Sequence, residues 1–438
     1  MDIIIRIIQV LLALSLLVVV HEFGHFIFAK LFKIRVEKFY LFFPPAIFKY
    51  KPKNSDTEWG IGSIPLGGFC KISGMIDESM DKETMAQEPK PWEFRTKPAW
   101  QRLLVMAGGV MFNFFLAIFL YSIILFPWGD AYLTNNDAIY GVQVNDLAHE
   151  IGFRNGDKIL AFDDVTTDKF FELQADLVRS QAKTATVLRG GDTIRIEIDP
   201  AYIPAILNTP QMFMPAAPVA VSAVPDTSIN KGVAIMTGDR FVKVNGQDVF
   251  FFQELQNALS ANKGSIIPIE FKRGEEYITF PMEVNQDGKI EVLLQSDLSD
   301  IHITEKEYSF IEAVPAGIKR TFSAISDYIK ELGLIFSPKT EAYKSVGSFI
   351  AIGSIFPTAW NWEAFWNITA WLSVMLAILN LLPIPALDGG HILFTLYEII
   401  TGKKPSDKFL EYAQVAGMIF LMLLVFLAFG NDILRLFK

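Results

Sequence analysis

Four long apolar segments restrict the folds open to this 438-residue chain more than any other feature of its sequence. They cover residues 3–32, 103–126, the stretch from 365 to the break at Pro383, and 413–430. A helix needs about 20 apolar residues to cross a bilayer. The mean hydropathy of +0.31 and the hydrophobic share of 51% also exceed those of an ordinary soluble enzyme. We therefore predict a polytopic α-helical membrane protein with four transmembrane helices.

Composition excludes several other classes of protein. The net charge of −9 argues against a nucleic-acid binder, which needs a basic surface. The single cysteine, Cys70, excludes an internal disulfide framework and a cysteine-rich zinc site. The first apolar segment, which carries Arg6, could be mistaken for a signal peptide. No small-x-small cleavage site follows it, so we interpret it as a retained helix.

Basic residues at the ends of the apolar segments predict the topology. Lysine and arginine concentrate on the cytoplasmic side of membrane helices. They follow the first segment, precede the second, and fill the short connection between the third and fourth: Lys30, Lys33, Arg35, Lys38, Arg95, Lys97, Arg102, Lys403, Lys404 and Lys408. These loops are therefore predicted to be cytoplasmic, which places both termini and residues 128–362 on the opposite side.

Residues 34–101 are too polar to span a membrane and too long for a plain loop. The stretch 34–41 alternates like a strand, and 59–72 indicates a strand, a Gly-rich turn and a second strand. A sheet can enter a membrane only where protein satisfies its backbone. Composition alone favours a small cytoplasmic β-subdomain over a sheet that enters the membrane.

The long segment on the far side contains an internal repeat. Residues 152–163 and 234–245 share a Gly-Asp turn followed by an apolar strand, with Asp157 and Asp239 in equivalent positions. This pattern is typical of PDZ modules, although two β-rich domains of another kind remain an alternative. Beyond the repeat, apolar residues recur at spacings of three and four, which predicts an amphipathic helix: Ile318, Phe322, Ile325, Ile329, Leu332 and Phe336.

The predicted organisation has nine segments. They are transmembrane helix 1 at 1–33, a cytoplasmic or re-entrant β-subdomain at 34–101, transmembrane helix 2 at 102–127, α+β PDZ-like domains at 128–215 and 216–300, the amphipathic helix and its connecting segment at 301–362, transmembrane helix 3 at 363–400, a cytoplasmic loop at 401–412, and transmembrane helix 4 at 413–438.

The sharpest chemical signal is His21-Glu22-Phe23-Gly24-His25 within the first apolar segment. Two histidines at i and i+4 lie on one helix face and can bind one Zn²⁺, while Glu22 can act as a general base toward water. Ionisable groups inside a membrane helix are costly and usually mark function. The alternative is a set of polar residues that only ends the helix at the membrane interface.

A catalytic zinc normally has three protein ligands. The best third candidate is Asp388, which precedes two glycines and follows the helix-breaking Pro383 and Pro385. Irregular backbone at membrane depth is tolerated only around a protein-lined cavity. His391 is a second possibility for the third ligand, although it is better placed to begin a helix or to support a ligand.

Taken together, these motifs resemble the site-2 protease family of intramembrane zinc metalloproteases, and most closely its RseP type, the regulator-of-sigma-E proteases with tandem PDZ domains. The resemblance covers essentially the whole chain and includes the 64–69 loop, Gly109-x-x-x-Asn113 and the stretch 380–390. It implies one Zn²⁺ per chain, held by His21, His25 and Asp388, with Glu22 as the catalytic acid and base. It also implies substrate contacts at Asn380, Asn113, Gly67 and Gly68, and a membrane re-entrant β-element at 34–72.

The chain departs from the family pattern in two places. Val110 stands where the family often has proline, and residues 42–46 read Phe-Phe-Pro-Pro-Ala where a Gly-rich turn is frequent. Neither departure touches a predicted metal ligand, so both concern the docking of substrate.

The resemblance implies cleavage within the membrane-spanning segments of single-span proteins whose ectodomains are already trimmed, such as anti-sigma factors and leftover signal peptides. It places the protein in a bacterial inner membrane, in contact with lipid, with the PDZ domains periplasmic and the HExxH motif near the cytoplasmic side. Two other hypotheses are a non-catalytic scaffold that binds protein termini and a metal transporter. The transporter would need further ionisable residues along the second and fourth segments, which offer almost none.

Overall fold

A computed structural model describes residues 2–75 and 88–436, so part of the predicted β-subdomain, residues 76–87, lies outside the described residues. The chain divides into a transmembrane unit (1–130, 307–336 and 343–438) and a strand-rich unit (131–306 and 337–342). The described helices are α1 (Asp2–Leu31), α2 (Ala99–Trp128), α3 (Asp146–Ile151), α4 (Leu173–Ser180), α5 (Ile203–Leu207), α6 (Phe252–Ser260), α7 (Phe310–Ile335), α8 (Phe349–Ile355), α9 (Trp362–Leu381), α10 (Asp388–Thr401) and α11 (Asp407–Leu436).

The strands belong to separate small sheets. They are β1 (Val36–Tyr50), β2 (Glu58–Ile72), β3 (Asp130–Tyr132), β4 (Val142–Val144), β5 (Lys158–Phe162), β6 (Val165–Thr166), β7 (Thr184–Arg189), β8 (Asp192–Glu197), β9 (Phe213–Pro215), β10 (Val219–Ala223), β11 (Arg240–Val244), β12 (Gln247–Asp248), β13 (Ile266–Arg273), β14 (Glu276–Glu283), β15 (Leu293–Ser296) and β16 (Thr304–Lys306).

Helices α1, α2, α9 and α11 are long and apolar enough to cross a membrane, and they coincide with the four predicted segments. Residues 363–400, the bounds predicted for transmembrane helix 3, contain two helices, separated at the prolines that were expected to break the span. Helix α9 ends at Leu381, and a separate helix, α10, begins at Asp388. Pro383 and Pro385 lack the N–H groups that a continuous helix would need, so the backbone turns between the two helices.

Helices α1 and α2 cross at a contact between glycine backbones. A Cβ added at Gly24 would lie 2.2 Å from the carbonyl oxygen of Gly108, so only glycine allows this approach. Beyond the crossing, toward the C-terminal end of α1 and the N-terminal end of α2, Ala29, Val105 and Met106 form part of a core. This core also includes Ile34 and Val36. The crossing therefore brings the histidine face of α1 directly against α2.

Strands β1 and β2 form a long antiparallel hairpin that follows α1. Phe39 has two partners across the ladder, Cys70 and Trp59, so the two halves of β2 lie on opposite sides of the start of β1. The predicted Gly-rich turn within 59–72 lies between these halves, because residues 58–61 and 68–72 pair with the same stretch of β1 in opposite directions, although Glu58–Ile72 is assigned as one strand. Residues 42–46 likewise lie between two halves of β1 that pair with the same part of β2 in opposite directions, and the backbone turns there, with Phe42 at a φ of 71°.

The predicted amphipathic helix is α7, and it packs by its small residues. Ala313, Gly317 and Thr321 are buried, and a Cβ at Gly317 would lie 2.3 Å from the Ser122 hydroxyl on α2. Much of the predicted apolar stripe is exposed instead, with Phe322 at 56%. Because α7 lies along a membrane-spanning helix, this exposed stripe is suited to contact lipid.

Within the strand-rich unit, each of the two repeats contains an ion pair between a buried aspartate and an arginine. Asp157 accepts two hydrogen bonds from Arg189, and Arg189 also donates to the carbonyl of Gly152. Asp239 accepts two from Arg273, which donates to the carbonyl of Ala234 in the same way. The aspartates of the Gly-Asp turns therefore anchor each turn to a later strand. The PDZ-like assignment of the two repeats stays a prediction.

A charged cluster joins the first repeat to the end of the second. Asp300 accepts hydrogen bonds from Arg240 and from the Tyr140 hydroxyl, both at 2.6 Å, and Arg240 also binds Asp297. The Arg240 guanidinium, and after it the Tyr140 hydroxyl, lowers the pKa of Asp300 to about 2. Since the charged carboxylate is the form that the fold stabilises, its contribution is present at neutral pH and is lost as the pH falls toward 2.

This cluster predicts a pH-dependent effect of Asp300→Asn. At neutral pH the variant should exchange amide hydrogens faster than wild type around residues 297–300, because Arg240 loses a charged partner. The difference should shrink as the pH falls from about 4 to 2, where wild type loses the same charge. Hydrogen exchange followed by mass spectrometry, corrected for the intrinsic pH dependence of exchange, measures it. A difference that stays constant down to pH 2 would contradict the assignment.

Candidate metal centre

Two histidines of α1 and an aspartate at the start of α10 meet within the transmembrane unit. The Nε2 atoms of His21 and His25 are 3.3 Å apart. Oδ2 of Asp388 lies 3.2 Å from Nε2 of His21 and 3.3 Å from Nε2 of His25. Ligand atoms about 2.0–2.1 Å from a tetrahedral zinc are separated from one another by about 3.3 Å. The three side chains therefore have the spacing of three zinc ligands.

The surroundings of Asp388 support the same conclusion. Its Oδ2 atom is buried, and among the described residues it has no hydrogen bond of acceptable geometry, although both imidazoles are near. A buried carboxylate oxygen without a partner is costly. Two imidazole nitrogens and one carboxylate oxygen are also donors that zinc prefers. The residues present thus fit a zinc ion.

The second ring nitrogen of each histidine contacts α2. Nδ1 of His25 lies 2.8 Å from the backbone carbonyl of Val105, which can only accept a hydrogen bond. His25 therefore carries its proton on Nδ1 and leaves Nε2 free for a metal. Nδ1 of His21 lies 3.2 Å from the amide nitrogen of Asn113. Such outer contacts hold ligand imidazoles in the correct orientation.

Gly109 of α2 makes room for both imidazoles. A Cβ at this position would lie 2.5 Å from Cε1 of His21 and 2.5 Å from Nε2 of His25. Asn113 follows one helical turn later and contacts the same imidazole of His21. The spacing Gly109-x-x-x-Asn113 thus places a gap and an amide against one face of α1.

The candidate base Glu22 lies beside β2. Its carboxylate accepts a hydrogen bond from the backbone N–H of Cys70 and interacts electrostatically with His21, His25 and Asp388. A Cβ at Gly68 would lie 2.6 Å from the side chain of Val18 and 3.7 Å from Cγ of Glu22. Strand β2 can therefore approach α1 closely enough to hold the carboxylate.

The loop between α9 and α10 is held by α11. The N–H of Ala386, a residue with φ of 81°, donates to the side chain of Gln414 at 3.1 Å. A Cβ at Gly417 would overlap the Pro385 carbonyl, so the helix and the loop are in backbone contact there. This support fixes the loop just before Asp388.

Comparison with known proteins identifies the family. A sequence model of peptidase family M50 matches residues 9–424. The chain belongs to peptidase family M50. It is 27% identical over 453 residues to the regulator of sigma-E protease RseP of Escherichia coli K12, covering 97% of this chain and 98% of that one. RseP of Salmonella typhimurium is 28% identical over 449 residues with the same coverage.

A further relative, from Xylella fastidiosa, carries the name of a zinc metalloprotease. It is 28% identical over 446 residues, which cover 97% of each chain. Family membership and these full-length similarities confirm the predicted resemblance to RseP-type site-2 proteases and the predicted zinc metalloprotease function. This M50 peptidase is an intramembrane zinc metalloprotease of regulated proteolysis.

The structure brings most of the predicted site residues of this M50 peptidase together. Nδ2 of Asn380, near the end of α9, lies 3.5 Å from Nε2 of His21. Asn113 is fully buried against His21, which does not favour its predicted contact with substrate. Gly67, in β2, lies against the ring of Phe43. His391 is outside the cluster of three candidate ligands and instead lines a cavity one turn along α10.

The sequence did not predict three groups that support the site: the Val105 carbonyl, the Gln414 amide and the Ser373 hydroxyl. The Ser373 hydroxyl donates a hydrogen bond to the backbone carbonyl of Asn113 at 2.8 Å. A backbone carbonyl leaves no signal in the sequence. The polar Gln414 and Ser373 within apolar helices do give a signal, because buried polar groups in membranes need partners.

The space at Gly109 predicts a large effect of a single methyl group. Gly109→Ala should abolish stable zinc binding, since the methyl group would overlap both imidazoles and force them apart. Zinc content after dialysis against a weak chelator measures the effect. Gly430→Ala in α11 is the matched control, because a Cβ there meets open space. Full zinc retention in Gly109→Ala would contradict the packing described here.

Proposed function

We propose that His21, His25 and Asp388 hold the catalytic zinc of this peptidase and that Glu22 is its general base. The observation that carries the proposal is the spacing of the three ligand atoms, 3.2 to 3.3 Å apart, around a carboxylate oxygen that lacks a hydrogen bond within the described part of the chain. Zinc, when bound, acts as a Lewis acid that polarises a scissile carbonyl and makes water more acidic.

The protein residues have separate tasks in peptide hydrolysis. Glu22 takes a proton from the attacking water and passes it to the leaving amine. The backbone N–H of Cys70 holds the carboxylate of Glu22 in position for both transfers. Asn380, whose amide lies beside His21, offers a hydrogen bond to the opened substrate backbone.

A substrate helix must unwind before its amides can be attacked, because its own hydrogen bonds hide them. We propose that the β1–β2 hairpin enters the membrane as a re-entrant element and receives the unwound segment by β-addition, near Gly67 and Gly68. The hairpin suits this task because β2 lies directly beside the base on α1. Exposed apolar residues at its far end, such as Ile47 and Phe48, are suited to lipid.

We further propose that the substrates are single-span membrane proteins with trimmed ectodomains, including anti-sigma factors. The support is the name of the relatives, which are regulators of sigma-E. The distribution of lysine and arginine supports a periplasmic position for the strand-rich unit of a bacterial inner-membrane protein, with His21 and His25 toward the cytoplasm. There the two PDZ-like repeats would meet an ectodomain first, as a filter or a tether.

A cleavage assay with two model substrates tests this function. The substrates share one membrane span with a helix-breaking residue and differ only in the length of the ectodomain. The full chain in detergent is expected to cut the short one in preference, to lose activity with a zinc chelator, and to regain it with added zinc. If neither substrate is cut by zinc-loaded protein, the proposed substrate class is wrong. Equal cleavage of both substrates would contradict only the proposal that the PDZ-like repeats exclude long ectodomains.

A further inference from the structure

We propose that Asn113 is a positioning residue that orients the zinc ligand His21 and does not contact substrate. The inference rests on the proposed function, because it takes His21 as a ligand. The side chain of Asn113 is 0% exposed, and its amide lies 3.2 Å from Nδ1 of His21. A fully buried side chain in contact with an imidazole acts on that imidazole and cannot reach a substrate.

The proton of the His21 ring decides what Asn113 must supply. Neutral imidazole carries one proton, so a ring that offers Nε2 to a metal keeps the proton on Nδ1 and needs an acceptor there. Nε2 of His21 is the nitrogen that faces His25 and Asp388. Nδ1 faces Asn113, and it is therefore the nitrogen that requires an acceptor when zinc binds.

The side-chain oxygen of Asn113 can be that acceptor. Oδ1 is buried and has no hydrogen-bond partner among the residues that the structure describes. The oxygen and nitrogen of an amide exchange places when its terminal bond rotates by half a turn, and their assignment follows from their neighbours. This rotation sets Oδ1 opposite Nδ1 of His21, so that the imidazole donates to the amide.

The two histidine ligands differ in how they are supported. His25 donates to the backbone carbonyl of Val105, a contact that does not depend on a side chain of α2. His21 depends on the side chain of Asn113, which a substitution can remove. The hydroxyl of Ser373 on α9 donates to the backbone carbonyl of Asn113 and fixes the part of α2 from which the amide projects.

Zinc affinity of the full chain in detergent, measured by competition with a chromophoric chelator, tests the inference. Asn113→Leu keeps the shape but removes the acceptor, and should weaken zinc binding about 10- to 100-fold, as for outer partners of other metal ligands. Asn113→Asp keeps an acceptor and should bind zinc at least as tightly as wild type. Gln9→Met is the matched control, since it removes a buried amide of α1 that contacts Pro357.

A second readout separates positioning from substrate binding. Zinc-saturated Asn113→Leu should keep the apparent KM of wild type for a single-span substrate. Unchanged zinc affinity in Asn113→Leu, or a raised KM at full zinc loading, would overturn the inference. So would equal zinc loss in Asn113→Asp and Asn113→Leu, because packing would then be the cause. If Asn113→Leu does not accumulate, Asn113→Ala serves instead. Failure of wild type to bind zinc would contradict the proposed function itself.

Discussion

Replacing Glu22 by glutamine is expected to lower kcat about 10²- to 10⁴-fold, which is the usual contribution of a general base. The amide has nearly the same shape as the carboxylate but cannot take a proton from water. It can still accept the hydrogen bond from Cys70. Because Glu22 is not one of the three clustered candidate ligands, the variant should keep one zinc per chain. Cleavage of a single-span substrate and zinc content, both measured on the same preparation, check the two expectations.

A control distinguishes this effect from a general loss of charge near the site. Glu58→Gln changes the carboxylate at the start of β2, which accepts a hydrogen bond from Tyr40 and lies outside the metal cluster. Its activity is expected to equal that of wild type. Substantial cleavage by Glu22→Gln at full zinc loading would show that another group takes the proton.

Replacing Asp388 by asparagine is expected to remove zinc and, with it, all cleavage. The neutral amide is a weak zinc ligand, and two imidazoles alone do not complete the set of three protein ligands that a catalytic zinc normally has. The loss of zinc affinity should exceed the loss in Asn113→Leu, because a ligand is removed and not its support. Chelator competition on the purified protein measures both variants on one scale.

The matched control for Asp388 is His391→Asn, three residues further along α10. His391 was the other possible third ligand, yet it lines a separate cavity with Arg102 and Glu398. This variant should keep wild-type zinc affinity. If His391→Asn loses zinc and Asp388→Asn retains it, the choice of third ligand is reversed.

The sequence alone predicts the parts of this molecule that depend on local periodicity. Hydropathy locates α1, α2, α9 and α11 because a membrane demands long apolar helices. The i, i+4 spacing of His21 and His25 places both imidazoles on one face of α1. The distant Asp388 has no such periodic signal, and the sequence marks it only by the prolines before it and the two glycines after it.

Features that depend on how the helices cross cannot be predicted from the sequence. The contact between Asn113 and His21 requires the rotation of α2 that the Gly24–Gly108 approach imposes. The prolines at 383 and 385 mark the break between α9 and α10, but the apolar loop gives no signal for the residue at which α10 begins. In the repeats, Asp157 and Asp239 were visible as a motif, but their arginine partners lie more than 30 residues later and carry no motif.

The central claim is that two imidazoles and one carboxylate of this chain hold the zinc, and X-ray absorption at the zinc edge tests it most directly. The zinc-loaded full chain is predicted to show nitrogen and oxygen neighbours at about 2.0–2.1 Å, with the outer scattering of two imidazoles. The imidazole scattering should fall in His21→Ala. A sulfur neighbour at about 2.3 Å, three imidazoles, or a spectrum unchanged by His21→Ala would contradict the assignment.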